Sequence, residues 1–211
     1  MRILELLKEA HERACERENA STQSLFFTYE NSRSVRQAVT AAIQSFGHYH
    51  APIEETYVLL TVCLNSTKEE RQNFIDRVLE YRGKVPGFGS SFFSGEPDPN
   101  LEELDNHIFY VCQHFYVLKH ALMDLEPMKS KKLFPNLAFY TAAVAIHQGV
   151  SLKLAESFLL EFRVPKWMQM LRDRYADSNK EDQHNEDSES GESEDSNVIK
   201  VFEKENKIPT E

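Results

Sequence analysis

Apolar positions along residues 1–175 recur every three or four residues, the period of helices that bury one face, and turn residues cut the run into separate elements. Leu4, Leu7, Ala10 and Ala14 set one apolar stripe on an N-terminal helix that ends before "NASTQS". In "NSRSVRQAVTAAIQSFG", Ser34 is the expected N-cap with Gln37 three residues on; Ala38, Ala41, Ala42 and Phe46 form the apolar face, and Gly47 is the stop. Pro52 opens the next helix, through Tyr57, Leu60 and Val62, because its missing N–H costs nothing in a first turn. "STKEERQNFIDRVLEYRG" follows, with an expected capping box from Ser66 to Glu69 and Gly83 at its end.

Asp98 and Pro99 start a long helix carrying Leu101, Leu104, Ile108, Val111, Phe115 and Leu118. A further helix begins near Pro135, runs through Phe139, Ala143 and Ile146, and stops at Gly149. Ser151 caps the last, which Pro165 is expected to break or kink before "KWMQMLRDRY". No alternating strand pattern of useful length interrupts these helices, so the predicted class is all-α. The expected organisation is an N-terminal helix and linker over 1–32, a helical domain over 33–175, and a tail over 176–211.

Charge separates the tail from the rest. Of the formal net charge of -10, the stretch 177–196 holds nine acids against Lys180, leaving the body near neutrality. A body so balanced has no electrostatic footprint for a phosphate backbone, and nucleic acid is not an expected partner. Low hydrophobicity with high charge predicts a disordered acidic tail. Within it, Val198, Ile199, Val201 and Phe202 form a short apolar island that suits strand addition to a protein partner's sheet edge. With no apolar run of membrane-spanning length and a charged N-terminus, the expected location is cytoplasmic and no membrane is expected as a partner.

Cys15, Cys63 and Cys112 match no zinc or redox spacing and are expected as reduced thiols packed in helices. His107 and His114 lie seven apart near Cys112, and His48 and His50 make a His-x-His pair, but neither group brings a third ligand at standard spacing. No metal is expected.

The stretch "KVPGFGSSFFSGEPDPN", residues 84–100, packs three glycines and three prolines between helical runs. It occurs between "AAIQSFGHYHAPIEETYVLL" and "FPNLAFYTAAVAIHQGVSLKLAESFLLEFRVPKWMQML". In order and approximate spacing these three segments resemble the second half of citrate synthase. The citrate synthase and citryl-CoA lyase family typically reads G-P-L-H-G-G-A-N-E, then P-G-F-G-H with D-P-R beyond it, then P-N-V-D-F-Y-S-G, then F-x-x-x-R-V-x-G-W. The resemblance covers about residues 33–172, roughly two thirds of the chain. It implies a citrate synthase-like helical fold: the small domain with part of the large-domain dimerisation helices. The alanine-rich helices around Ala41–Ala42 and Ala142–Ala143 resemble the family's interface helices, so a homodimer is expected.

Carried over position by position, the resemblance implies a site stripped of its reactive groups. His50 stands where the family's histidine polarises the thioester carbonyl. Ser90 replaces the histidine that activates the keto acid, Ala138 the aspartate that removes the α-proton, and Asn100 the arginine of D-P-R. Arg163 keeps an acid-binding arginine. Also missing are the C-terminal R-P-x-x-x-Y-x-G group and most of the family's N-terminal half. A positioned base contributes about 100- to 10,000-fold to such chemistry, and an alanine methyl accepts no proton. Rescue would need Glu54, Glu55 or Asp98 as base and Ser90 as donor.

No catalytic residue is therefore expected; His50, Ser90 and Ala138 read as vestigial positions. A retained ligand site would use His50, Gly87, Phe88, Gly89, Asn100 and Arg163. No cofactor is expected beyond a possible coenzyme A. The function so implied is an inactive citrate synthase-like protein acting as a dimeric binding, scaffold or regulatory protein. The alternative is a diverged citrate synthase or citryl-CoA lyase, or a coenzyme A binder.

Overall fold

The structure is a computed structural model that describes residues 2–46 and 52–176. The chain divides into two units, Met1–Leu171 and Arg172–Glu211. Of the second, residues 172–176 are described, and they end the last helix. The expected strand-adding segment at Val198, Ile199, Val201 and Phe202 lies outside the described residues, as do Gly47, His48 and His50.

Eleven helices are described: α1 Arg2–Cys15, α2 Ala20–Ser32, α3 Val35–Gln44, α4 Ile53–Leu64, α5 Lys68–Arg82, α6 Glu102–Val111, α7 Gln113–Met123, α8 Glu126–Ser130, α9 Leu137–His147, α10 Leu152–Ala155 and α11 Ser157–Tyr175. The predicted all-α class holds among these residues. The one β-type pairing among them is an isolated bridge between Phe88 and Pro135. No described helix is long and apolar enough to cross a membrane.

Helix α9 is the axis of the first unit. Residues Ala138 to Ala145 are all buried, so the helix is wrapped on every side, as a run apolar all round its circumference requires. It packs on α1 and most extensively on α4. The main core joins Leu7 and Ala10 of α1, Leu59 and Leu60 of α4, Ile108 of α6, Phe115 and Leu122 of α7, and Phe139 and Ala143 of α9. Ala142 and Ala143 are buried within the chain itself, which removes them as a free surface for the expected dimer contact. On α3 the buried pair is Ala38 and Ala42, against α2.

Several boundaries differ from expectation, each for a local reason. The 1–32 segment is not helix plus linker: after α1, Asn19 accepts a hydrogen bond from the Thr22 N–H and caps α2. The capping box of α5 sits one residue later than expected, at Thr67 and Glu70, where both reciprocal hydrogen bonds form. The long helix after Pro99 is a 3-10 turn followed by α6 and α7, with Cys112 between them at φ -128° and ψ 52°. Its Val111 is 39% exposed, as is Val62 of α4 at 40%, so neither belongs to the core. The short α8, with Pro127 in its first turn, has no counterpart among the expected elements.

Pro165 does not break its helix. The chain interrupts at Glu156 instead, and α11 continues through an exposed Pro165. An interior proline costs about 3 kcal/mol. The opposite face, with Leu159, Phe162, Trp167 and Leu171 buried, offsets that loss. The three cysteines are free and buried, and burial pushes each thiol up to about 11, so they are protonated packing groups.

Candidate functional site

The Pro86–Gly89 turn is held in place by the segment leading into α9. Gly89 N–H donates to Phe134 O at 2.7 Å, Asn136 N–H donates to Gly87 O at 2.9 Å, and Asn136 Nδ2 donates to Gly89 O at 2.8 Å. Asn136 does double duty, since its Oδ1 also accepts from Ala138 N–H and caps α9. Gly87 has no substitute here. Its φ is 81°, and a Cβ would lie 2.5 Å from Thr56 Cγ2 on α4. Phe88 fills the resulting corner, edge-on to Phe139 at 5.3 Å.

This turn, the end of α1 and the buried face of α11 border an open cavity of about 490 Å³, within the usual range for a small-molecule site. Gly87, Phe88, Gly89, Ser90, Asn100, Ala138 and Arg163 all line it. Residues 76 positions apart in sequence, Gly87 and Arg163, thus share one chamber. Histidines 107 and 114 do not line it, and no group of three metal-ligating side chains occurs among the described residues.

Arg163 is the electrostatic centre. It is 5% exposed, and its NH1 has no hydrogen-bond partner among the described residues. Burial pulls its pKa below the usual arginine value, yet a guanidinium keeps its proton in proteins. Its Nε donates to His11 Nδ1 at 3.2 Å, and its guanidinium lies over the Phe46 ring at 5.4 Å. The hydrogen-bond chain assigns the tautomer of His11. Thr141 donates its hydroxyl proton to Leu137 O, so Thr141 Oγ1 must accept from His11 Nε2–H at 2.9 Å. That leaves Nδ1 bare as the acceptor for Arg163. Burial first, and the nearby guanidinium second, hold the imidazole pKa well below its usual value.

The other groups at the wall are already engaged with one another. Asp98 receives both Arg17 nitrogens, at 2.8 and 3.0 Å, and also Asn100 N–H and Nδ2. The Arg17 guanidinium lies over the Phe93 ring at 4.9 Å. Ser90 Oγ accepts from the N–H groups of Phe92 and Phe93, a turn role that leaves its hydroxyl proton. Ala138 presents a methyl group. Glu54 and Glu55 are not among the lining residues, and Glu55 pairs with Arg82 at 3.6 Å.

Five of the described lining residues are basic, Arg17, Lys84, Lys131, Lys132 and Arg163, and one, Asp98, is acidic. In a chain of net charge -10 this is a local reversal of sign. With Arg17 and Asp98 cancelling, the chamber is cationic, and what it can do chemically is hold an anion. His11 and Arg17 come from α1 and the turn after it, outside the segments that resemble citrate synthase. The one sequence signal for His11 is its place beside Ala10 on the apolar face, four residues after Leu7. No protein-family model matches the chain, and no curated protein matches it.

Proposed function

We propose that this protein is a non-catalytic, citrate synthase-like binding protein whose α4–α9–α11 cavity takes a small carboxylic acid. The observation that carries this is Arg163, which lines a 490 Å³ cavity and whose buried NH1 has no hydrogen-bond partner among the described residues. The described partners of this buried guanidinium are a neutral imidazole and an aromatic ring, neither of which carries a compensating negative charge, and an entering carboxylate would supply one through a charge-assisted hydrogen bond. The resemblance supports the same assignment, because Arg163 falls on the family's acid-binding arginine. Ala138 and Ser90 support the loss of turnover, since neither replaces a base or a charged electrophile. Among the described lining residues the one carboxylate, Asp98, is held by Arg17.

Thermal melting of the full chain with citrate, oxaloacetate, coenzyme A and acetyl-CoA at millimolar concentration tests it. Citrate or oxaloacetate should raise the melting temperature by mass action, and mixing acetyl-CoA with oxaloacetate should release no thiol. No shift with either acid would refute the site. Thiol release would turn the reading to the alternative, a diverged citrate synthase, and a shift with coenzyme A alone to a coenzyme A binder. The resemblance also implies a homodimer, which would have to form through a surface other than the buried Ala142 and Ala143; light scattering after size exclusion should then return twice the chain mass. A protein partner bound through the tail would show as a capture lost on deleting residues 176–211.

A further inference from the structure

We infer that the ligand of this cavity has two anionic ends, a carboxylate seated on Arg163 and a phosphate held at the rim by Lys131 and Lys132. This rests on the reading of Arg163 as the carboxylate anchor. The two cationic regions differ in depth and in chemistry. Arg163 is buried, whereas Lys131 and Lys132 are exposed where they line the same cavity. A planar guanidinium fork matches a carboxylate. Ammonium groups on flexible stems act as point charges, a form of phosphate recognition that tolerates several geometries.

Lys132 occupies a costly position. Its φ is 49°, in the left-handed region where glycine or asparagine is the default after a helix. Lys132 N–H donates to Lys129 O and Leu133 N–H to Met128 O, which fixes this conformation at the end of α8. Among the described non-glycine residues two have positive φ, Arg33 at the end of α2 and Lys132, and of the two Lys132 lines the cavity. The stem of Lys132 runs beside Gly95, another lining residue, its Cδ 3.6 Å from where a Cβ there would sit. Neither Lys131 nor Lys132 makes an ion pair among the described residues, whereas Lys129 next to them pairs with Asp124. Among the described lining residues the single acid, Asp98, is engaged by Arg17 and does not pair with the two ammonium groups. The volume also exceeds what one carboxylate fills.

The test is calorimetric titration of the full chain with phosphoglycolate, glycolate, succinate and inorganic phosphate, on the native protein and on a Lys131→Gln, Lys132→Gln double variant. Both substitutions are at exposed positions and leave the core intact. The native protein should bind phosphoglycolate about tenfold or more tighter than glycolate, and the double variant should lose most of that margin while glycolate affinity moves far less. Equal affinity for glycolate and phosphoglycolate, or a double variant that keeps the margin, overturns the phosphate subsite while leaving the Arg163 site standing. Succinate binding as tightly as phosphoglycolate overturns the choice of phosphate. Inorganic phosphate alone matching phosphoglycolate overturns the two-ended ligand. No binding by any probe removes the carboxylate site itself.

Discussion

Arg163 Nε and His11 Nδ1 meet at 3.2 Å across 152 residues of sequence, tying α11 to α1 through an imidazole that must stay neutral. A proton on Nδ1 would both remove the acceptor and face a cation. His11 is therefore part of the site's construction, and the condition it imposes is measurable.

Stability should fall with acid in a window set by His11. Its folded pKa lies well below the usual 6.5, so between the two values the unfolded chain binds more protons than the folded one. The contribution is fully present above about pH 6.5 and is lost as pH falls toward the folded value, with a limiting slope of about 1.4 kcal/mol per pH unit. His114, also depressed by burial and by His147, acts in the same direction. Urea denaturation across the window, compared with His11→Gln, isolates the first: the variant should show the shallower slope. Parallel curves would mean that His11 titrates normally.

The Arg17–Asp98 pair should be a strong stabiliser for its size. Asp98 caps the 3-10 turn before α6 and takes both Arg17 nitrogens, with side chains 22% and 11% exposed. Losing the cap costs about 1 kcal/mol, and losing charged hydrogen bonds about 1.5–3 kcal/mol. Asp98→Ala is expected to destabilise by about 2–4 kcal/mol in denaturant titration. In a double-mutant cycle with Arg17→Met, most of that loss should be shared; additive losses would show that the two side chains act independently.

Gly87→Ala should cost about 2–4 kcal/mol, one part from the left-handed backbone and the rest from the clash with Thr56 Cγ2. Thr56→Ser removes that methyl and keeps the hydroxyl that bonds Pro52 O. In that background the same substitution should cost measurably less. An unchanged cost would place the whole penalty in the backbone.

Asp105 receives Lys119 Nζ at 2.6 and 2.7 Å and the Tyr140 hydroxyl at 2.8 Å, and Lys119 is 4% exposed. Asp105→Asn strands a buried ammonium and should destabilise by about 3–5 kcal/mol. Replacing both partners, Asp105→Asn with Lys119→Met, should recover a large part of it. A double variant no better than the single one would locate the loss in the Tyr140 contact.

Local signals explain what was legible. Ser34, Asp98 and Gly83 act where their chemistry places them, because a cap depends on a few neighbouring residues. The Cys112 interruption and the unbroken passage through Pro165 were not legible, since burial of surrounding faces decides them. The candidate site divides the same way. Gly87, Phe88, Gly89, Asn100 and Arg163 were singled out from motif order and share the cavity wall. His11 and Arg17 reach that wall through contacts spanning 152 and 81 residues, and Lys132 through a helix end; no periodicity announces such contacts.

The central claim is that Arg163 makes this cavity an acid-binding site. Calorimetric titration with citrate, on the native chain and on Arg163→Met with its fold checked by circular dichroism, tests it most directly. Saturable one-to-one binding, weakened about tenfold or more in the folded variant, is the predicted result. Absence of binding to the native chain at millimolar citrate, or equal affinity in the variant, would contradict it.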